Sequence, residues 1–162
     1  MGVLSGVEAA SRITDARDID IQTQPGGVDL TLRSISRYKG SGQLGFDNTD
    51  RVLPEVREIP FDSDGFAYLP YDCYLMVFNE VVEVPADAMG HAYPRSSLFR
   101  IGATFVSAVW DPGYNGRGQA MLQVVNQYGI TLKKDARVAQ LVFFRLEKPS
   151  ETLYNGIYQG VV

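Results

Sequence analysis

Val28-Asp29-Leu30-Thr31-Leu32 alternates strictly between apolar and polar side chains. Successive side chains on an extended chain point to opposite faces, so this is the pattern of a half-buried strand. The same reading spreads outward from it. Ala67-Tyr68-Leu69-Pro70, Tyr74-Leu75-Met76-Val77-Phe78, Met121-Leu122-Gln123-Val124-Val125 and Val138-Ala139-Gln140-Leu141-Val142-Phe143-Phe144 are short runs rich in β-branched and aromatic residues. Gly, Pro and Asp interrupt them roughly every 8–12 residues, the spacing of a β-sandwich or barrel. Long helical periodicity is absent. The clear helix signal is Ser5-Gly6-Val7-Glu8, a capping box leading into Ala9-Ala10-Ser11-Arg12-Ile13. The expected class is all-β with a short N-terminal helix, and Gly40 to Asp50 reads as a hairpin tip or exposed loop.

Composition narrows the chemistry. At 162 residues, 45% of them hydrophobic, one domain spanning 1–162 can bury a proper core. The net charge of −4 speaks against a nucleic-acid coat but leaves room for a nucleotide pocket, where a few arginines suffice. No apolar run approaches the roughly 20 residues of a membrane span. The N-terminal residues lack a signal-peptide pattern, and Gly6 breaks the myristoylation pattern, so a cytoplasmic location is expected. One cysteine, Cys73, and one histidine, His91, cannot build a zinc site of about four such ligands. Cys73 reads as a buried thiol and His91 as a hydrogen-bonding strand or loop residue. Carboxylates, arginines and hydroxyls remain for the chemistry.

Two stretches gather them. In Tyr93-Pro94-Arg95-Ser96-Ser97-Leu98-Phe99-Arg100, a guanidinium, two hydroxyls and free backbone N–H groups suit the oxygens of a polyphosphate. In Trp110-Asp111-Pro112-Gly113-Tyr114-Asn115-Gly116, one carboxylate sits on a tight turn beside an aromatic ring. A polyphosphate cradle followed by a lone acid points to nucleotide hydrolysis. Each residue also has a plainer reading. Asp111 is a good turn residue, Arg95 and Arg100 could be surface charges, and Asp29 could face solvent. Tyr114 could cap a sheet face, Trp110 could simply pack, and the tail from Glu151 could fray.

Taken in order, these segments resemble the dUTPase and dCTP deaminase superfamily, specifically its archaeal-type dUTPase branch. Gln24 to Leu32 is similar to the first motif, Pro94 to Arg100 to the second, and Trp110 to Asn126 to the third. Gly129 to Leu132 with Ala136 to Phe143 resembles the fourth, and Tyr154-Asn155-Gly156-Ile157-Tyr158-Gln159-Gly160 the C-terminal motif. The resemblance implies a jelly-roll-like (β-clip) fold and a homotrimer with active sites at subunit interfaces. It also implies residues 151–162 as a segment closing over the site. The implied reaction is hydrolysis of dUTP to dUMP and pyrophosphate, or hydrolytic deamination of dCTP, or both.

One acid separates the two reactions. Where the deaminases carry a glutamate on the strand after the third motif, this chain has Gln123 counting back from Asn126, or Met121 counting forward from Asp111. Neither side chain exchanges a proton at neutral pH. The expectation is therefore a dUTP diphosphatase in which Asp111 steers a water onto the α-phosphorus, with Mg²⁺ carried by the substrate phosphates. By the resemblance, Arg95, Ser96, Ser97 and Arg100 hold phosphates, with Gln140 reaching in from an adjacent chain. Tyr114 lies against the deoxyribose, the strand backbone from Leu122 and Gln123 reads the pyrimidine, and Tyr154, Tyr158 and Gln159 close over the nucleotide. Asp29 supports the site or holds metal waters. Ile157 replaces a lysine frequent in the family. The alternatives are a dCTP deaminase or bifunctional enzyme using another acid such as Glu80 or Glu83, and a non-enzymatic nucleotide-sensing or protein-binding trimer.

Overall fold

A computed structural model describes residues 2–161 and shows a chain dominated by antiparallel strands. The first half runs α1 (Gly6–Ala10), β1 (Ile13–Thr14), α2 (Ile19–Gln22), β2 (Thr23–Gln24), β3 (Gly27–Lys39), β4 (Glu55–Glu58), β5 (Phe66–Leu69) and β6 (Asp72–Glu83). The second half adds β7 (Ala88–Pro94), α3 (Ser96–Arg100), β8 (Ala103–Val106), β9 (Asn115–Val124), β10 (Ile130–Lys133) and β11 (Arg137–Arg145). The main sheet follows the order β7-β11-β3-β6-β9-β8. β1 adds to β6, β2 and β4 add to β3, and β5 pairs separately with β10.

The two ends of this path meet. Gly90 on β7 and Trp110 exchange backbone hydrogen bonds of 2.8 and 2.9 Å, so the sheet curls into a nearly closed barrel. Its core is lined by inward positions such as Leu30, Leu32, Tyr74, Met76, Phe78, Leu122, Leu141 and Phe143. Burying each large apolar side chain stabilises the fold by about 1.5–3 kcal/mol. The capping box forms as expected: the backbone N–H of Glu8 donates to Ser5 Oγ, and that of Ser5 to the Glu8 carboxylate. Gly40 to Asp50 is an exposed β3–β4 connection, pinned by mutual hydrogen bonds between Gln43 and Val52.

The founding alternation on β3 has a different outcome from its simplest reading. Asp29 and Thr31 do not reach solvent; each is 1% exposed. Arg95, directly after β7, and Arg137 from β11 close over the Asp29 carboxylate, while α2 folds across the strand. Gln22 Nε2 donates to the Asp29 backbone oxygen and to Glu80 Oε1, both at 2.8 Å. Glu80 also accepts from the Thr31 backbone N–H and hydroxyl, at 2.9 and 2.6 Å. A buried carboxylate is tolerated when its oxygens are so occupied. Burial still raises the Glu80 pKa, against the lowering effect of the Thr31 and Gln22 hydrogen bonds.

Two smaller readings also change. Cys73 is half-buried, because it occupies an outward position on β6. His91 is a strand residue of β7 packed on Tyr93 at 4.7 Å, yet its Nδ1 is shielded without a hydrogen-bond partner.

Candidate functional site

Asp111 sits where the closed end of the barrel turns back. The preceding Trp110 is fixed by its bridge to Gly90 and packs on Phe78. After it, Asp111-Pro112-Gly113-Tyr114 makes a turn: Tyr114 N–H donates to the Asp111 carbonyl at 3.1 Å, and Gly113 has φ +84°. Proline at the second position and a left-handed glycine at the third are the requirements of a type II turn. A side chain at Gly113 would also press on Leu153. Asp111 is exposed, and no Arg, Lys or His among the described residues forms an ion pair with it.

The carboxylate lines a cavity of about 410 Å³ with Trp110, Tyr114, Arg117, Tyr154 and Tyr158. It is the sole carboxylate among the described lining residues, and Arg117 the sole cation. Tyr114 is buried, packs edge-on against Tyr154 at 5.4 Å and donates its hydroxyl to the Arg117 carbonyl at 2.8 Å. Burial, reinforced by Tyr154, pushes its pKa up to about 12, so the ring is a neutral donor. The C-terminal residues lie across their own hairpin. Gln159 accepts from Asn115 N–H and donates to the Gly113 carbonyl, both at 3.1 Å. Arg117 N–H donates to the Val161 carbonyl at 2.7 Å, and Gly160 N–H to that of Asn115 at 2.8 Å. These bonds use the edge of β9 that β8 leaves unpaired, since β8 pairs only from Met121 to Val124.

The phosphate-type cluster lies elsewhere. Arg95 directly follows β7 as the N-cap of α3, while the Gly90–Trp110 bridge sits near the start of that strand, about 16 Å away at the rise of an extended chain. Arg95 Nε and Arg137 Nη1 hold the Asp29 carboxylate at 3.1 and 3.2 Å. Desolvation raises the Asp29 pKa, and the two guanidinium groups oppose that rise. Ser96 and Ser97 open the single turn of α3 and are exposed, as is Arg100, which stacks on Phe99. Gln140 pairs with Asp29 and Tyr93 and so lies at this same end of the barrel.

The structure therefore gathers the named residues into two groups. Asp111, Tyr114, Tyr154, Tyr158 and Gln159 form one; Asp29, Arg95, Ser96, Ser97 and Gln140 form the other. Leu122 and Gln123 join neither. Leu122 is fully buried and lies between Tyr74 and Phe105, with strands on both sides, so its backbone offers no free edge to a base. The β9 residues that do border the cavity are Arg117, Gly118 and Gln119. Glu80 is sealed in the interior, and Glu83 is exposed and pairs with Arg12 at 3.6 Å; neither borders the cavity. Arg117 and Arg137 escaped the sequence reading. The flanking glycines of Gly116-Arg117-Gly118 were the available signal for the first.

Comparison with known proteins agrees with this architecture. The family pattern described as dCTP deaminase-like matches residues 3–146. A probable deoxyuridine 5'-triphosphate nucleotidohydrolase of Methanosarcina barkeri is 46% identical over 93% of this chain and 88% of its own length. One from Archaeoglobus fulgidus is 45% identical over 99% of this chain and 97% of its own. The deoxyuridine 5'-triphosphate nucleotidohydrolase of Methanocaldococcus jannaschii is 41% identical over 86% of this chain and 88% of its own. In fold, the chain is similar to the 2'-deoxycytidine 5'-triphosphate deaminase of Agrobacterium tumefaciens, with a TM-score of 0.66 at 21% identity. That match covers 88% of this chain and 47% of the deaminase, so the chain spans about half of that protein's length. No described helix is long and apolar enough to cross a membrane. With the family pattern spanning most of its length and relatives this similar, the chain belongs to the dCTP deaminase-like family.

Proposed function

We propose that this chain is a dUTP diphosphatase of the cytoplasm, converting dUTP and water to dUMP and pyrophosphate. The observation that carries the reading is Asp111, a single exposed carboxylate in a cavity walled by Tyr114 and the C-terminal tyrosines. The names of the archaeal relatives support the substrate. A deaminase needs an acid that both takes and returns a proton at the base, and no second carboxylate borders the cavity among the described residues.

In this mechanism Asp111 orients a water and accepts its proton as the oxygen attacks the α-phosphorus. The bond to the bridging oxygen breaks, pyrophosphate leaves and Asp111 returns the proton to solvent. Positioning and charge neutralisation do most of the work in phosphoryl transfer. Arg95, Ser96, Ser97 and Arg100 bind the phosphates, and Tyr114 packs on the deoxyribose. No cluster of three or more His, Cys, Asp or Glu among the described residues is arranged to hold a metal. A Mg²⁺ ion carried on the triphosphate would be held by phosphate oxygens and waters and would offset phosphate charge.

The separation of the two groups along β7 supports an assembly in which one copy supplies Asp111 and Tyr114 and another supplies Arg95, Ser96, Ser97 and Gln140. A homotrimer of jelly-roll-like subunits, each a single domain with 151–162 as its closing segment, provides that arrangement. The test is incubation with Mg²⁺ and either dUTP or dCTP, reading pyrophosphate and ammonia. Pyrophosphate from dUTP without ammonia from dCTP is expected. Ammonia release from dCTP would reassign the enzyme to the deaminases.

A further inference from the structure

Arg117, the sole cation bordering the Asp111 cavity among the described lining residues, is incompletely partnered. Its Nη2 lies 2.6 Å from Asp15 Oδ2, while Nε and Nη1 are shielded from solvent and bond to nothing. Shielded donors without an acceptor carry their desolvation cost unrelieved, and a site that retains them calls for an explanation. The arginine also borders a second cavity, of about 310 Å³, where Arg17, Arg33 and Lys134 stand with Asp15 and Asp135. Like charge behind the guanidinium weakens its hold there. Asp15, its one partner, is an exposed carboxylate on a left-handed residue (φ 58°) and engages a single nitrogen of the guanidinium.

The backbone of Arg117 is firmly held by contrast. Its N–H bonds Val161, its carbonyl accepts from Tyr114, and Gly116 and Gly118 pass so close to Tyr114 and Trp110 that a side chain at either would collide. A fixed backbone on the cavity wall, carrying a guanidinium with one nitrogen paired and two unmet, is the form of a residue that changes partner when substrate arrives. We propose that Arg117 is a substrate-contacting residue of the hydrolysis, exchanging Asp15 for oxygens of the α-phosphate nearest Asp111. The inference rests on the dUTP reading given above. It supplies positive charge at the reacting phosphorus from the same chain that supplies the acid, where Arg95 is too distant. The exchange also relieves donors that the free protein leaves unmet.

The test uses the full chain and its Arg117→Gln, Arg117→Lys and Asp15→Asn variants. Trp110, the sole tryptophan, forms the cavity wall and reports occupancy by fluorescence. Non-hydrolysable α,β-imido-dUTP and deoxyuridine are titrated separately, and dUTP turnover is measured alongside. Arg117→Gln is expected to lower kcat/KM by about 100-fold and weaken the imido analogue about tenfold, with deoxyuridine affinity unchanged. Arg117→Lys should recover part of both losses, and Asp15→Asn should tighten analogue binding a few-fold. An analogue-to-deoxyuridine affinity ratio unchanged in Arg117→Gln, or in Arg117→Lys where the glutamine variant fails to fold, makes the residue structural and overturns the inference. A wild-type chain that releases no pyrophosphate from dUTP removes the substrate reading itself, and this inference with it.

Discussion

The two ends of β7 hold opposite kinds of polar machinery. At the Arg95 end the central charges are already engaged: Asp29 is buried under the guanidinium groups of Arg95 and Arg137 and tied through Gln22 to Glu80. At the Asp111 end the carboxylate is exposed and unpaired, held by turn geometry and by Trp110 rather than by its own contacts. The charges of one end are bound up with the stability of the barrel; the carboxylate at the other carries little structural duty. The acid can therefore be altered without loosening the fold, whereas the cations cannot.

Asp111→Asn gives the largest expected effect and the sharpest contrast. Turnover of dUTP should fall by about 10³-fold, while the melting temperature and affinity for a dUTP analogue stay near wild type, because asparagine suits the same turn. Near-normal pyrophosphate release would erase the distinction between the two ends. Arg95→Ala should act on both stability and activity. It exposes part of the pairing around a buried carboxylate, and about 2–3 kcal/mol of unfolding free energy should be lost, less than for a fully orphaned charge because Arg137 remains. Adding Asp29→Asn should restore much of the stability and none of the phosphate binding, as read by denaturant titration and by KM.

Glu80→Gln probes the scaffold behind the cation end. Burial raises the folded pKa of Glu80, so the folded state holds the proton more tightly than the unfolded state. Its contribution to stability is then full below the unfolded carboxylate pKa and declines as pH rises through the folded value. The glutamine variant should lack that decline. At low pH, where both side chains are neutral, it should be about 1–2 kcal/mol less stable, since an amide N–H would face donors from Thr31 or Gln22. Parallel stability–pH curves for the two proteins would contradict this account. The smallest effect belongs to Gln159→Ala, which removes two exposed hydrogen bonds and should loosen the tail by about 1 kcal/mol. Faster amide exchange at Arg117 and Gly160, with a modest rise in KM, is the expected outcome.

Much of this was legible in the chain. Alternation and turn residues located the strands, Ser5 and Glu8 marked α1, and the order of the motifs singled out Asp111, Tyr114 and the Arg-Ser-Ser cluster. What alternation at Asp29 could not convey is that α2, Arg95 and Arg137 cover the second face of β3. That covering depends on residues distant in sequence. The isolation of Leu122 between β6 and β8 is hidden for the same reason, since a strand pattern does not reveal which edges are paired. Arg117 escaped the sequence reading because its setting comes from the cavities on either side of it.

The docking of Gly160 and Val161 along β9 has a consequence for solution behaviour. Bare strand edges invite other chains to extend the sheet, and proteins commonly cover them. A chain ending at residue 150 would uncover the Asn115 to Ala120 border, with its unsatisfied amides and carbonyls beside an aromatic wall. Such a truncation is expected to precipitate or form fibrillar aggregates on concentration, before any loss of catalysis becomes the main symptom.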